Sequence, residues 1–197
     1  MEDFYKAVLN LGVYAPLVCA LAVACFWPFI SARAAKALAL ASSAVLAAAG
    51  IALWCAMPAD GSFAFSSDLT LAGVALPQFA LNGVSAPIFA LAGIVGFAAV
   101  WQAACSEIRN AKLYFMLLSV MLGGLAGAFA SVNLLWMYAF HEFALVPTFI
   151  AMNIWGGAGR RMAAMQMAVY LTLGALVSLA GIIALYAQSN AGSFGLQ

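Results

Sequence analysis

Hydrophobic and polar positions along this chain fall into long blocks. Apolar runs of 18 or more residues recur over the whole length, and an α-helix needs ~20 such residues to cross a bilayer. The runs predict six transmembrane helices, at about residues 8–30, 37–57, 85–105, 113–131, 134–155 and 162–187. A β-barrel is not indicated, because barrel strands are ~10-residue segments of alternating hydrophobicity. We therefore predict an all-α integral membrane domain over residues 1–187 and a polar tail over residues 188–197.

Composition supports a membrane protein. The chain is 68% hydrophobic and only 7% charged, whereas a soluble domain carries about 25% charged residues. The net charge of +1 argues against a nucleic-acid partner. None of the four cysteines forms a Cys-x-x-Cys pair, which argues against a metal or redox cofactor held by this chain.

Charge in the predicted loops indicates the orientation. The first, third and fifth connections carry six of the seven basic residues, namely Arg33, Lys36, Arg109, Lys112, Arg160 and Arg161. The opposite side has Lys6, with Asp60 and Asp68. Positive loops stay cytoplasmic, so we expect a multi-pass protein with both termini outside. The acidic start, Met1-Glu-Asp, is unlike a signal peptide and favours a retained first helix.

The long outer connection, residues 58–84, contains a second kind of pattern. Apolar residues alternate along Asp68-Leu-Thr-Leu71 and Val74-Ala-Leu76, on either side of Ala72-Gly73. Such alternation around a two-residue turn with glycine predicts a short β-hairpin. We expect it to cover the outer face of the bundle as a cap without chemistry. In the fourth helix, Gly123 and Gly127 have the spacing of a close helix contact.

Glu142 is the candidate functional residue, because it is an acid inside a predicted span. It is the ninth residue of the fifth helix, which places it ~12 Å below the outer end of a ~30 Å hydrocarbon core. A charge at that depth costs roughly 2.5–3.5 kcal/mol on insertion scales and usually faces a partner or a water-filled path. A structural ion pair or hydrogen bond is the alternative interpretation.

Helical spacing supplies supporting residues. Tyr138, four residues earlier, can reach the Glu142 carboxyl, and Asn153 follows on the same face. His141 points about 100° away and either relays protons or is satisfied by a helix neighbour. Pro147 removes the helical partner of the carbonyl four residues before it, which either holds water near the acid or only kinks the helix. No basic residue of the chain lies at the depth of Glu142, so its positive partner is expected from a helix or subunit outside these residues.

These residues resemble a known family, the antiporter-like membrane subunits of respiratory complex I, especially the subunit M branch of bacterial NADH:quinone oxidoreductase. The resemblance rests on Asn133-Leu-Leu, Glu142-Phe-Ala-Leu-Val-Pro147, Trp155-Gly-Gly, Arg160-Arg161, Ala163-Ala164, Tyr170 and Gly174. Upstream, Asn82-Gly-Val-Ser85 is similar to the family's Asp-Gly-Leu-Ser.

The resemblance implies that Glu142 is the family's essential glutamate, which pairs with a lysine of the seventh helix and takes part in proton translocation. It implies a subunit of a redox-driven proton translocase in the bacterial inner membrane, with no redox catalysis within the chain. NADH, flavin, iron–sulfur clusters and quinone are then expected in partner subunits. Other membrane subunits of the complex are the expected partners.

Departures from the family leave alternatives open. Asn82 stands where Asp is common, and His141 stands where Trp is usual. The family has about fourteen helices in inverted repeats, so six helices make an incomplete antiporter-like fold. The chain is then a fragment, a truncated or split gene product, or a chain completed by another. The same motif also fits a multisubunit cation/proton antiporter or a membrane-bound hydrogenase, and a membrane scaffold without transport is a third interpretation.

Overall fold

The structure, a computed structural model, describes residues 2–58, 60–67, 70–71, 74–75 and 77–189. Within these residues, six helices are long and apolar enough to cross a membrane. They are α1 (Glu2–Cys25), α2 (Ala32–Cys55), α3 (Ser85–Cys105), α4 (Ala111–Ala130), α5 (Leu134–Trp155) and α6 (Arg160–Ser189). The predicted all-α fold with six membrane-spanning helices is confirmed. Most of the predicted polar tail, residues 190–197, lies outside the described residues.

The first two helices lie several residues earlier in the chain than predicted. α1 begins at Glu2, not near residue 8, because acidic residues in a first turn interact favourably with the helix dipole. It ends at Cys25, not near residue 30, where an apolar but non-helical segment containing Pro28 follows. α2 begins at Ala32, not near residue 37, because the Ser31 hydroxyl accepts the N–H of Ala34 at 3.1 Å and caps the helix.

The other helices agree more closely with the pattern. α3 and α5 have the predicted bounds, and the ends of α4 and α6 lie within two residues of theirs. Lys112 belongs to the first turn of α4, and Arg160 and Arg161 belong to the first turn of α6. The predicted helices began only at the apolar residue that follows them.

Four short strands occupy the connection between α2 and α3. β2 (Thr70–Leu71) pairs antiparallel with β3 (Val74–Ala75), in the register Thr70↔Ala75 and Leu71↔Val74. These strands confirm the predicted hairpin, although its turn lies outside the described residues. β1 (Ala64–Ser67) and β4 (Phe79–Leu81) form a second antiparallel pair that the sequence pattern did not predict.

The helices pack as a core of α1 to α4, with α5 against α4 and α6 against α5. Glycine lets α2 and α3 approach closely, since a Cβ added at Gly93 would lie 2.8 Å from the Ala47 backbone. By contrast, α6 is exposed along nearly all of its length. The buried core therefore lies among α1 to α4, whereas α6 packs mainly against α5 and exposes its other faces.

Contacts between loops identify the two ends of the bundle. At one end, the Trp155 indole donates to the Arg109 carbonyl at 2.7 Å, and the Lys112 ammonium donates to the Trp27 carbonyl at 3.2 Å. These bonds bring the first, third and fifth connections together, and we call this the basic end. At the other end, the Ser67 hydroxyl of β1 donates to the Asn10 side-chain oxygen at 2.9 Å. The placement of both termini outside the membrane stays a prediction.

Candidate functional site

The start of α5 is fixed by a cap and by a strand. The Asn133 side-chain oxygen accepts the N–H groups of Leu135 at 2.9 Å and Trp136 at 3.4 Å, which satisfies two donors of the first turn. The Val132 N–H donates to the Gln78 carbonyl at 3.3 Å, and Ser131 is bridged to β4. These bonds set the depth of Glu142, which lies ~12 Å along the helix axis from the first residue of α5.

The rotation of α5 is set by its buried face. Phe140, Ala144 and Pro147 are the buried residues of this helix. The Phe140 ring lies 5.7 Å from that of Phe79, and a Cβ added at Gly124 of α4 would lie 2.8 Å from the Ala144 nitrogen. Since successive residues rotate by about 100°, Glu142 is turned well away from Phe140. Its side chain therefore lies away from the centre of the α4–α5 contact, on the side of α5 that meets α6.

The carboxyl of Glu142 is half-buried, and its Oε1 atom is fully buried without a hydrogen-bond partner among the described residues. It lines a cleft of about 160 Å³ between α5 and α6. The other lining residues are Leu145, Val146, Phe149, Ala168, Leu171 and Thr172. On its other side the same residue borders a cleft of about 520 Å³ between α4 and α5. A buried acceptor without a donor costs about 1–3 kcal/mol, so this carboxyl is suited to water, a proton or a cation.

Tyr138 is the predicted neighbour that lies beside the acid. Its phenol is close enough to Glu142 for an electrostatic and a hydrogen-bonding interaction between the two side chains. This agrees with their spacing of four residues on one helix face. A phenol can donate a hydrogen bond, so Tyr138 can hold the carboxyl in one orientation.

Two other predicted residues are not brought to the carboxyl. His141 is exposed and does not line either cleft at Glu142. Asn153 is half-buried but lies ~16 Å further along the axis, too far for direct contact. Their roles in proton transfer stay predictions, and each would require water or another chain to connect it with Glu142.

Pro147 lies inside an unbroken α5, buried and lining the larger cleft beside Glu142. The sequence prediction missed its neighbour Thr148. The Thr148 hydroxyl donates to the Ala144 carbonyl at 2.8 Å and lies 3.3 Å from the Met121 sulfur of α4. A threonine in an apolar helix often bonds the carbonyl four residues before it, and that pattern was the available signal.

Basic residues of the chain are all remote from this site. Each of the seven lies within the first five residues of a helix or just before one: Lys6, Arg33, Lys36, Arg109, Lys112, Arg160 and Arg161. Glu142 is the ninth residue of its helix, so no lysine or arginine of this chain shares its depth. Among the described residues, no group of three His, Cys, Asp or Glu side chains could hold a metal ion.

Comparison with known proteins places these features in context. No family model matches the chain. Subunit M of the NADH-quinone oxidoreductase of Rickettsia bellii is 37% identical over 89 residues, which cover 42% of this chain and 18% of that subunit. The chain spans about a fifth of the length of the curated relatives it matches.

Solved structures share the fold. One is an archaeal membrane-bound sulfane sulfur reductase, with a TM-score of 0.75 and 23% identity, over 95% of this chain and 29% of that chain. Another is respiratory complex I from Thermus thermophilus, with a TM-score of 0.70 and 24% identity, over 97% of this chain and 38% of that chain. The predicted resemblance is thus confirmed: part of this chain is similar in sequence to subunit M of NADH-quinone oxidoreductases, and the chain shares its fold with a chain of respiratory complex I.

Proposed function

We propose that this chain forms part of a proton-translocating membrane subunit of a redox-driven NADH:quinone oxidoreductase, and that Glu142 carries the proton. The observation that supports this most directly is the Glu142 carboxyl itself. It combines a buried oxygen without a partner, a position deep in a spanning helix, and clefts on two sides. Homology to subunit M supplies the class of complex.

The chemistry follows from the surroundings of the carboxyl. A cation or hydrogen-bond donor that approaches a carboxylate favours its charged form. Moving such a donor toward or away from Glu142 therefore drives release or uptake of a proton. Tyr138 orients the carboxyl, and the cleft between α5 and α6 gives it access to water or to a further side chain. Pro147 leaves the Phe143 carbonyl without its helical donor, which favours hydration beside the acid.

The proposal requires partners. The positive group that controls Glu142 comes from a helix or subunit outside these residues, and the exposed length of α6 gives it a surface to pack against. NADH oxidation, flavin, iron–sulfur clusters and quinone reduction belong to other subunits, so the chain has an enzymatic role only within the assembled complex. We place it in a bacterial cell membrane, with the basic end in the cytoplasm and both termini outside.

The test is proton pumping by the assembled complex in sealed inverted membrane vesicles, measured together with electron transfer to quinone. Glu142→Gln removes the titratable group, but it keeps the size and shape of the side chain and its ability to form hydrogen bonds. We expect pumping through this subunit to be lost and the number of protons per electron to fall. Glu107→Gln is the matched control, because Glu107 is an exposed acid in the connection before α4, and we expect it to pump normally.

Other results would separate the remaining interpretations. Normal pumping and normal electron transfer with Glu142→Gln would favour a membrane scaffold and reject a central role for the acid. Glu142-dependent cation/proton exchange in vesicles that lack any quinone-linked electron transfer would instead indicate an antiporter.

A further inference from the structure

A polar cleft lies at the basic end, far from Glu142. It has a volume of about 580 Å³ and is formed by the segment between α1 and α2 and by the connection from α3 to α4. Its lining residues are Trp27, Ala32, Ile108, Asn110, Ala111, Lys112 and Leu113. Nothing in the proton-transfer proposal uses this cleft, and its mixture of a cation, an aromatic ring and apolar walls is that of an amphiphile site.

Lys112 supplies the charge in the cleft. Its ammonium group donates to the Trp27 carbonyl at 3.2 Å and lies 5.7 Å from the centre of the Trp27 ring. Both contacts hold the lysine head beside Trp27, which also lines the cleft. An ammonium group has three protons to donate, so one bond to a carbonyl leaves the charge and further donors available to an anion.

Aromatic side chains show where this cleft lies relative to a membrane. Phe26, Trp27 and Phe29 form the segment after α1, and Phe29 is 85% exposed. Trp27 is the residue of this segment that lines the cleft, and tryptophan at the end of a spanning helix is typical of the membrane interface. α1 ends at Cys25, and Pro28 in this segment cannot continue a helix. The mouth of the cleft therefore opens at headgroup depth.

The charge around the cleft favours an anion. Arg33 follows the lining residue Ala32, and Arg109 precedes the lining residue Asn110. Glu107 is the acid of the same connection, next to Ile108 in the sequence. The parts of the sequence that form the cleft therefore contain more basic than acidic residues. Basic pockets between spanning helices on the cytoplasmic side are typical of sites for acidic lipid headgroups.

We propose that this cleft binds the phosphate of an anionic phospholipid, with Lys112 as the cation and Trp27 against the glycerol and upper acyl chain. The phosphate chemistry alone would also suit a free phosphate ion. The exposed aromatic segment favours a lipid, because a soluble ion gains nothing from apolar surface at headgroup depth. The proposal is independent of proton transfer at Glu142.

Trp27 provides the probe for the test. The full chain is reconstituted in vesicles that contain either a brominated phosphatidylglycerol or a brominated phosphatidylcholine, with bromine high on the acyl chain. Bromine quenches nearby indoles, and the difference between the full chain and its Trp27→Phe variant isolates the signal of Trp27 from the other tryptophans. We expect quenching of Trp27 by the anionic lipid at a several-fold lower mole fraction than by the zwitterionic lipid.

Three variants test whether the lipid preference depends on the cleft. Lys112→Gln should weaken the preference for anionic lipid several-fold, because it removes the cation that lines the cleft. Lys112→Arg should retain it. Arg161→Gln removes an equal charge from an exposed residue of the same end that does not line the cleft, and it should leave the preference unchanged.

Three results would overturn the proposal. Equal quenching by both lipids would show that the cleft has no preference for an anionic lipid. An equal effect of Lys112→Gln and Arg161→Gln would show that the preference comes from the overall positive charge of the basic end. Loss of the quenching of Trp27 by the anionic lipid on addition of millimolar inorganic phosphate would make the ligand a soluble anion.

Discussion

A single methyl group at Gly124 tests how α4 positions the helix that carries Glu142. The added Cβ of Gly124→Ala would lie 2.8 Å from the Ala144 nitrogen, 2.9 Å from the Phe140 oxygen and 3.1 Å from the Phe143 carbonyl carbon. All three atoms are backbone, so no side-chain rotation relieves the overlap. The shortest distance falls 0.6 Å below the 3.4 Å at which ordinary contact begins, so the two helices must separate by several tenths of an ångström. Overpacking of this kind costs about 1–3 kcal/mol.

The assay is the free energy of unfolding of the full chain in mixed micelles titrated with a denaturing detergent. Gly174→Ala on α6 is the matched control, because a Cβ at Gly174 would meet nothing within 4 Å. Both substitutions gain the same helix propensity, roughly 1 kcal/mol in water, so their difference isolates the steric cost. We expect Gly124→Ala to be less stable than Gly174→Ala by about 1–3 kcal/mol. Equal stability of the two variants would refute the close approach of α4 and α5.

Three further predictions concern the supports of the site. Phe79→Ala should cost about 3–5 kcal/mol of unfolding free energy in the same assay, since its buried ring contacts Phe140 of α5, and the exposed Phe63→Ala should change it little. Asn133→Ala should cost about 1 kcal/mol through loss of the α5 cap, with Asn133→Ser restoring most of it. Tyr138→Phe should slow proton pumping without stopping it, because the phenol interacts with the acid but does not replace it, whereas Tyr170→Phe, at an exposed residue of α6, should pump normally.

The long apolar runs were sufficient to predict the helices because a spanning segment must satisfy its own backbone hydrogen bonds. The apolar runs could not determine where every helix begins and ends. The segment after α1 is as apolar as the helix before it, so hydrophobicity alone extended α1 through Pro28. Ser31 is the local signal that places the start of α2, and it is a single polar residue in an apolar stretch.

Contacts that join distant parts of the chain could not be predicted from local patterns. The strand β4 is only three residues long, and it is stabilised by pairing with β1 and by the connection between α4 and α5. The glycines of α4 illustrate the same limit. Their spacing predicts close packing, but Gly123 faces Leu17 of α1, whereas Gly124 faces the backbone of α5. Which helix meets which glycine depends on the assembled bundle.

The candidate site was partly accessible from the sequence. Glu142 and its neighbour Tyr138 follow from helical depth and spacing, which are local properties. The two clefts and the buried Oε1 atom depend on how α4 and α6 flank α5. The bond of the Thr148 hydroxyl to the Ala144 carbonyl is also local, but it was missed because the prediction followed apolar periodicity and did not consider hydroxyl bonds to the helix backbone.

The most direct test of the central claim is whether the Glu142 carboxyl changes its protonation during turnover. Infrared difference spectra of the assembled complex, recorded before and after reduction, report the C=O stretch of a protonated carboxylic acid. We predict a carboxyl band that appears or disappears on reduction, is present in Glu107→Gln, and is absent from Glu142→Gln. An unchanged band in Glu142→Gln would contradict the account, because the proton would then be carried by another group.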